Sequence, residues 1–142
     1  MPRYKTGKGT IIEIAPAPEG TTANTAVFER IVGAYSFEVS AIEAAEVDVS
    51  SFDSDGWVET IQGTKDAGEV SVTMRFDAGS DTDLMLEAFA LSGESAFLRI
   101  TQPNSTNTPR VRVFNGWVKG YGDSSDHESV GDATLTFRNY KR

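Results

Sequence analysis

Cysteine is absent from these 142 residues. That excludes disulfide frameworks, thiolate zinc sites and cysteine nucleophiles together. Positive charge is scarce: 13 Lys and Arg stand against 21 Asp and Glu, a formal net charge of −8. A sequence-reading nucleic-acid binder needs a basic footprint to neutralise phosphates, and this composition lacks one. No apolar run reaches membrane-spanning length, so no membrane partner is expected. The basic start MPRYKTGKGT has no apolar segment behind it and does not read as a secretory signal. A Walker-type phosphate loop is missing too, Gly7-Lys8-Gly9 being too short to form one. Neither an internal repeat nor a linker divides the chain.

What remains is globular in composition. Hydrophobic residues make up 39% and aromatics 10%, with eight Phe spread along most of the chain, enough for one packed domain over residues 1–142. Residues 1–9 are polar and basic and read as a mobile N-terminal arm. A first strand is expected at residues 10–15, ended by Pro16 and Pro18. Residues 27–39 offer Phe28, Ile31, Val32, Tyr35, Phe37 and Val39 to a core as two extended pieces around Gly33. AIEAAE at 41–46 is locally helix-forming, although too short to be stable alone.

From 44 to 68 the chain turns acidic and rich in Ser, Asp and Gly, with Trp57 in the middle. So long a stretch outside a core, in so short a chain, reads as a projecting arm that has a partner. The cleanest alternation follows it: Val70, Val72, Met74 and Phe76 take one face, Glu69, Ser71, Thr73 and Arg75 the other. One convincing helix lies at 80–91, capped by Ser80, with Asp83 as an approximate capping box, Gly93 as terminator, and a predicted apolar stripe of Leu84, Met85, Ala88, Phe89 and Leu91. Residues 96–102 form a strand. A long strand over 110–121 changes parity at Phe114 and Asn115, and Gly116 follows, which predicts a bulge turning a barrel corner. The loop GDSSDHES leads to a last strand at 130–140. These elements predict a mainly β protein, an antiparallel sandwich or partly closed barrel with one flanking α-helix and a long projecting loop.

Candidate chemistry is thin. His127 has Ser124, Ser125, Asp126 and Glu128 close in sequence, but triads are built across a fold, and neighbours on one turn point in different directions. Residues 51–62 overlay a calcium loop at Asp53, Asp55, Gly56 and Glu59, yet Ser51 opens it, Gln62 closes it, and no helix pair flanks it. Solvated carboxylates are the better reading there. Asn104, Ser105 and Thr106 form a glycosylation sequon that has no consequence without a secretory route. Trp117, within a strand, is read as core. Trp57, within the acidic arm, needs a pocket to leave water and is read as an interface anchor.

The order of motifs resembles the tail tube, or major tail, proteins of long-tailed bacteriophages and phage-like gene transfer agents. The pattern is carried by a strand at 35–41, by Asp48, Ser50, Asp53, Ser54, Gly56, Gly63, Asp66 and Gly68 in the arm, and by EVSVT at 69–73. DAGSDTDLMLEAFALSG and then Phe114, Gly116, Val118 and Tyr121 continue it. Ser50 stands where Thr is common, and the ending FRNYKR lacks the glycine often found there.

The resemblance implies a structural virion protein and not an enzyme, with no cofactor: a subunit that closes into hexameric rings stacked as a hollow tube. DNA would pass through without specific binding. Other partners implied are tape measure, tail terminator and baseplate proteins, in a virion tail assembled in the bacterial cytoplasm. A type VI secretion-like tube subunit is the alternative, and a small acidic carbohydrate-binding β-domain the third reading. Residues 46–68 would be the inter-subunit loop, with Asp48, Ser50, Asp53, Asp55, Trp57, Glu59, Lys65 and Asp66 at the interface. Arg110 and Arg112 would be sticky toward DNA in a lumen, so inter-ring or lateral ion pairs are expected for them, and acidic charge is expected along the wall.

Overall fold

The computed structural model describes residues 8–18, 20–22, 24–104 and 108–141. Most of the expected N-terminal arm, and Ser105 and Thr106 of the sequon, lie outside them. Nine strands and one α-helix occur in chain order: β1 (Ile11–Pro16), β2 (Glu29–Arg30), β3 (Ala34–Val39), β4 (Glu43–Asp48), β5 (Thr60–Asp66), β6 (Glu69–Arg75), α1 (Asp81–Ser92), β7 (Ser95–Gln102), β8 (Arg110–Asp126) and β9 (Ser129–Lys141). Seven strands make one antiparallel sheet in the order β2-β1-β7-β8-β9-β6-β3, while β4 and β5 form a separate two-stranded ribbon.

The long strand β8 divides the large sheet. Its first part, Arg110 to Trp117, pairs with β7, and its later part, from Asn115 to Asp126, pairs with β9. The register slips between Asn115 and Gly116, where the sequence predicted a corner, and again between Val118 and Gly120. Strand β8 therefore carries the chain from a β2-β1-β7 half to a β9-β6-β3 half. The segment after β2 ties the two ends together: Ile31 N–H donates to Ile12 C=O at 2.9 Å, and Arg75 N–H donates to Gly33 C=O at 3.0 Å. The sheet thus rolls into a partly closed barrel around a core of Ile12, Ile14, Val70, Val72, Met74, Leu98, Ile100, Phe114, Leu135 and Phe137.

The alternation read in β6 holds, with Val70, Val72 and Met74 buried. Helix α1 keeps its predicted ends. Ser80 Oγ accepts from Asp83 N–H at 3.2 Å, and Gly93, at φ +66°, donates to Phe89 C=O. Its stripe is rotated from the one expected. Leu86 is fully buried, with Met85, Phe89 and Ala90 beside it, whereas Leu84 and Leu91 are 55% and 81% exposed. In this rotation Leu86 enters the core and Asp83 Oδ1 accepts from the Tyr121 hydroxyl of β8 at 2.8 Å. Burial, then this acceptor, holds the Tyr121 phenol well above its ordinary pKa. Leu86→Ala is expected to cost about 2–5 kcal/mol in denaturant unfolding. Leu84→Ala should cost less than about 0.5 kcal/mol, and equal losses would contradict this helix rotation.

Other expectations are corrected. Val32 and Tyr35 are exposed, and the Tyr35 ring lies under the Arg75 guanidinium at 4.2 Å. Trp117 is not core: Gly116 and Val118 take the inward parity, so the indole lies on the outer face, in register with Ser95 and Arg138. The loop expected around His127 is shorter, because β8 runs on to Asp126 and the turn itself is narrow.

Candidate assembly surface

The acidic stretch is not irregular. AIEAAE does not form a helix, because β4 pairs with β5 through Glu46↔Gln62, Val47↔Ile61 and Asp48↔Thr60. A two-strand ladder satisfies more backbone groups than one turn of helix could, and it outweighs the local Ala and Glu preference. Cross-strand partners share a face, so Val47, Val49 and Ile61 lie on one side of the ribbon, while Glu46 and Asp48 take the other. Every residue of β4 is exposed.

The tip, residues 49–59, is built by its own hydrogen bonds. Asp48 Oδ1 accepts from Ser50 N–H at 2.8 Å, Ser50 Oγ accepts from Glu59 N–H at 2.7 Å, and Ser54 Oγ accepts from Ser51 N–H at 2.9 Å. One 3₁₀ turn, Phe52–Ser54, ends at Asp55 in the left-handed region with φ +51°. The partial calcium loop is therefore a capped turn. Phe52 and Trp57 extend from it at 108% and 78% exposure, with Val58 exposed beside them. The ordered turn thus holds two aromatics and a valine together in water as one exposed apolar patch.

The base is clamped to the barrel. Asp66 Oδ1 accepts from Gly68 N–H at 2.8 Å and from Arg138 Nη2 at 2.9 Å. Ser40 Oγ accepts from Glu69 N–H, and the Asn139 side chain donates to Ala67 C=O. Gly68 sits at φ +79° with the Ser40 hydroxyl where a Cβ would stand, so a side chain there is strained and displaces the hydroxyl from Glu69 N–H. The Gly68 N–H, more than the Arg138 charge, holds Asp66 below its ordinary pKa, and the Ser50 N–H, then its hydroxyl, does the same for Asp48. A carboxylate with a depressed pKa stabilises above the ordinary Asp range and loses that contribution as pH falls through the lowered value. Amide resonances of Ser50 and Gly68 should accordingly titrate below about pH 3.9, the usual Asp value. Midpoints at or above it would contradict these two contacts.

Of the residues the sequence placed at the interface, Asp48, Ser50 and Asp66 build the arm, Asp53, Asp55 and Glu59 surround its tip, and Lys65 lies in β5. Phe52, Val58, Val47, Val49 and Ile61 were not singled out. The short alternation of apolar and acidic residues over 46–49 was the signal for Val47 and Val49. Arg110 is exposed at the start of β8. Arg112 is half-buried on the inward side, where it donates to Gln102 Oε1 at 2.7 Å and lies 5.7 Å from the Phe114 ring centroid. His127 sits exposed on its turn, 3.2 Å from Asp126 and 3.4 Å from Glu128.

Charge is unevenly spread. Residues 43–68 contain seven acids and one lysine, a net of −6 out of the total −8. The outer face of β3, β6, β9 and adjoining β8 is instead balanced. Arg75 pairs with Asp132 at 3.0 Å, Lys119 with Glu69 at 2.8 Å, and Arg138 with Asp66 at 2.9 Å, among Ser36, Ser71, Thr73, Thr134 and Thr136.

Residues 18–140 match the family model described as lambda phage tail tube protein. Among solved structures, the chain is similar to the tail of an empty gene transfer agent particle refined with C6 symmetry, at 18% identity, 97% of this chain, 96% of that chain and TM-score 0.70. It is also similar to a chain of the native gene transfer agent virion, at 20% identity, 97% and 95% coverage and TM-score 0.67. The SPP1 tail tube matches at 10% identity, 94% and 74% coverage and TM-score 0.63. At these identities the likeness is one of fold. No curated protein sequence matches the chain.

Proposed function

This chain belongs to the lambda phage tail tube protein family and is a structural tube subunit; on that premise we propose that it closes into sixfold rings which stack into a hollow conduit for DNA. The observation that carries the reading is the arm: a prebuilt amphipathic ribbon whose aromatic tip is exposed, with no cover among the described residues. The C6 symmetry of the gene transfer agent tail supports the ring number. Tape measure, terminator and baseplate proteins are the further partners this role requires, and a virion tail assembled in the bacterial cytoplasm is its setting.

Two features of the barrel support the same reading. The half-sheet made by β8, β9, β6 and β3 ends in β3 on one side and the later part of β8 on the other, and joining these edges from copy to copy would remove both. Its outer face suits a channel wall, because hydroxyls predominate and each of Arg75, Lys119 and Arg138 is held by a carboxylate instead of being offered to phosphates. On this reading the acidic excess serves contacts made by the arm, not the wall. Sedimentation of the full chain over a wide concentration range tests the proposal. Species of six times the 15.4 kDa chain and larger are expected. A monomer at every concentration and salt would overturn it.

A further inference from the structure

A second exposed apolar patch lies on the outer face of the β1-β7-β8 half. Ile11, Thr101 and Val111 stand in one cross-strand row, and Val113 follows in the next, beside the Glu13–Arg99 pair. Ile11, Val111 and Val113 are all exposed, a β-branched surface with no cover among the described residues. Its border is basic. Arg30, in register with Glu13, stands exposed on the same face, and Arg110, which by alternation starts on the opposite face, stands exposed at the strand end one residue before Val111. Neither forms an ion pair among the described residues.

We infer that this patch is the seat of the arm tip of a second copy: Phe52, Trp57 and Val58 cover Ile11, Val111 and Val113, while Asp53, Asp55 and Glu59 face Arg30 and Arg110. The inference rests on the tube reading and adds the receiving surface to it. Charge complementarity selects this patch over the exposed apolar stripe of α1. The helix stripe of Leu84, Ala88 and Leu91 runs between Asp81, Glu87 and Glu94, and an acidic tip approaching it meets like charge. Occupancy by the same subunit's arm is ruled out by geometry, since Phe52 and Trp57 are solvent-exposed with the arm root clamped as it is. The contact is head-to-tail between copies, so it closes a ring or extends a stack, as a tube requires.

Charge reversal tests it. The variant R30E/R110E should leave the thermal midpoint unchanged and lower the yield of sedimentable polymer by about tenfold or more. Adding D53K/D55K on the same chain should restore it. Val111→Asp gives a second arm that does not depend on ion pairs and should lose polymer equally, whereas L84D/L91D should assemble as the unaltered chain does. Assembly by R30E/R110E and by Val111→Asp at the unaltered level overturns the inference and leaves the tube reading intact. Failure of the unaltered chain to assemble overturns the tube reading itself.

Discussion

Replacing Phe52 and Trp57 together by alanine is expected to abolish polymer formation while leaving the subunit's unfolding midpoint where it was. Neither ring touches the core, the tip hydrogen bonds run through Asp48, Ser50, Ser54 and Glu59, and Phe52 is as exposed as an isolated side chain. Truncation therefore removes nothing from the folded monomer. An aromatic anchor at the centre of an interface contributes about 2 kcal/mol or more, so losing both weakens each contact by a factor of roughly a thousand. The same contact recurs at every subunit of a closed ring, and the deficits accumulate. A variant that loses monomer stability in step with assembly would place these rings in the subunit's own core, against the exposure described above.

The second large effect is expected at Gly116. A Cβ there would overlap the backbone carbonyl of Arg138 on the neighbouring strand, which cannot move without breaking the β8-β9 ladder. Gly116→Ala should cost about 3 kcal/mol or more and yield poorly folded protein. Gly120→Ala, at the second register slip, meets nothing within 4 Å and should be tolerated. If the two behaved alike, the close approach of β9 to β8 at the corner would be contradicted.

These two sites differ in how openly the sequence displays them. The register irregularity at Gly116 was legible in the glycine, but the parity change read before it is absent: Val111 and Val113 face outward, and Phe114, Gly116 and Val118 share one inward face. The strand at Glu69–Arg75 was legible for another reason, an uninterrupted period of two with one apolar face buried. The ends of α1 were written in Ser80 and Gly93, whose chemistry is local. Its rotation was not, because leucines occur on both sides of the helix, and the contacts that go with the observed rotation, Leu86 in the core and Asp83 reaching Tyr121, 38 positions away, are distant in sequence.

The arm shows how unburied structure escapes a pattern based on burial. β4 is made of Ala and Glu with one Val and one Asp, and every residue of it is exposed. Its ribbon is fixed by β5, a strand that ordinary propensity leaves ambiguous. Trp117 was misplaced by one residue of register. The inward parity belongs to Phe114, Gly116 and Val118 alike, not to Val111 and Val113, and so leaves the indole outside.

Electron microscopy of the concentrated full-length protein tests the central claim most directly. Two packed sheets about 10 Å apart, arranged around a hole wide enough for duplex DNA, set a tube width of roughly ten nanometres. Sixfold rings and stacks of that width, with the arm of each copy resting on a neighbour, are the predicted result. Fields of separate monomers at every concentration and salt, with the arms free in solvent, would contradict it.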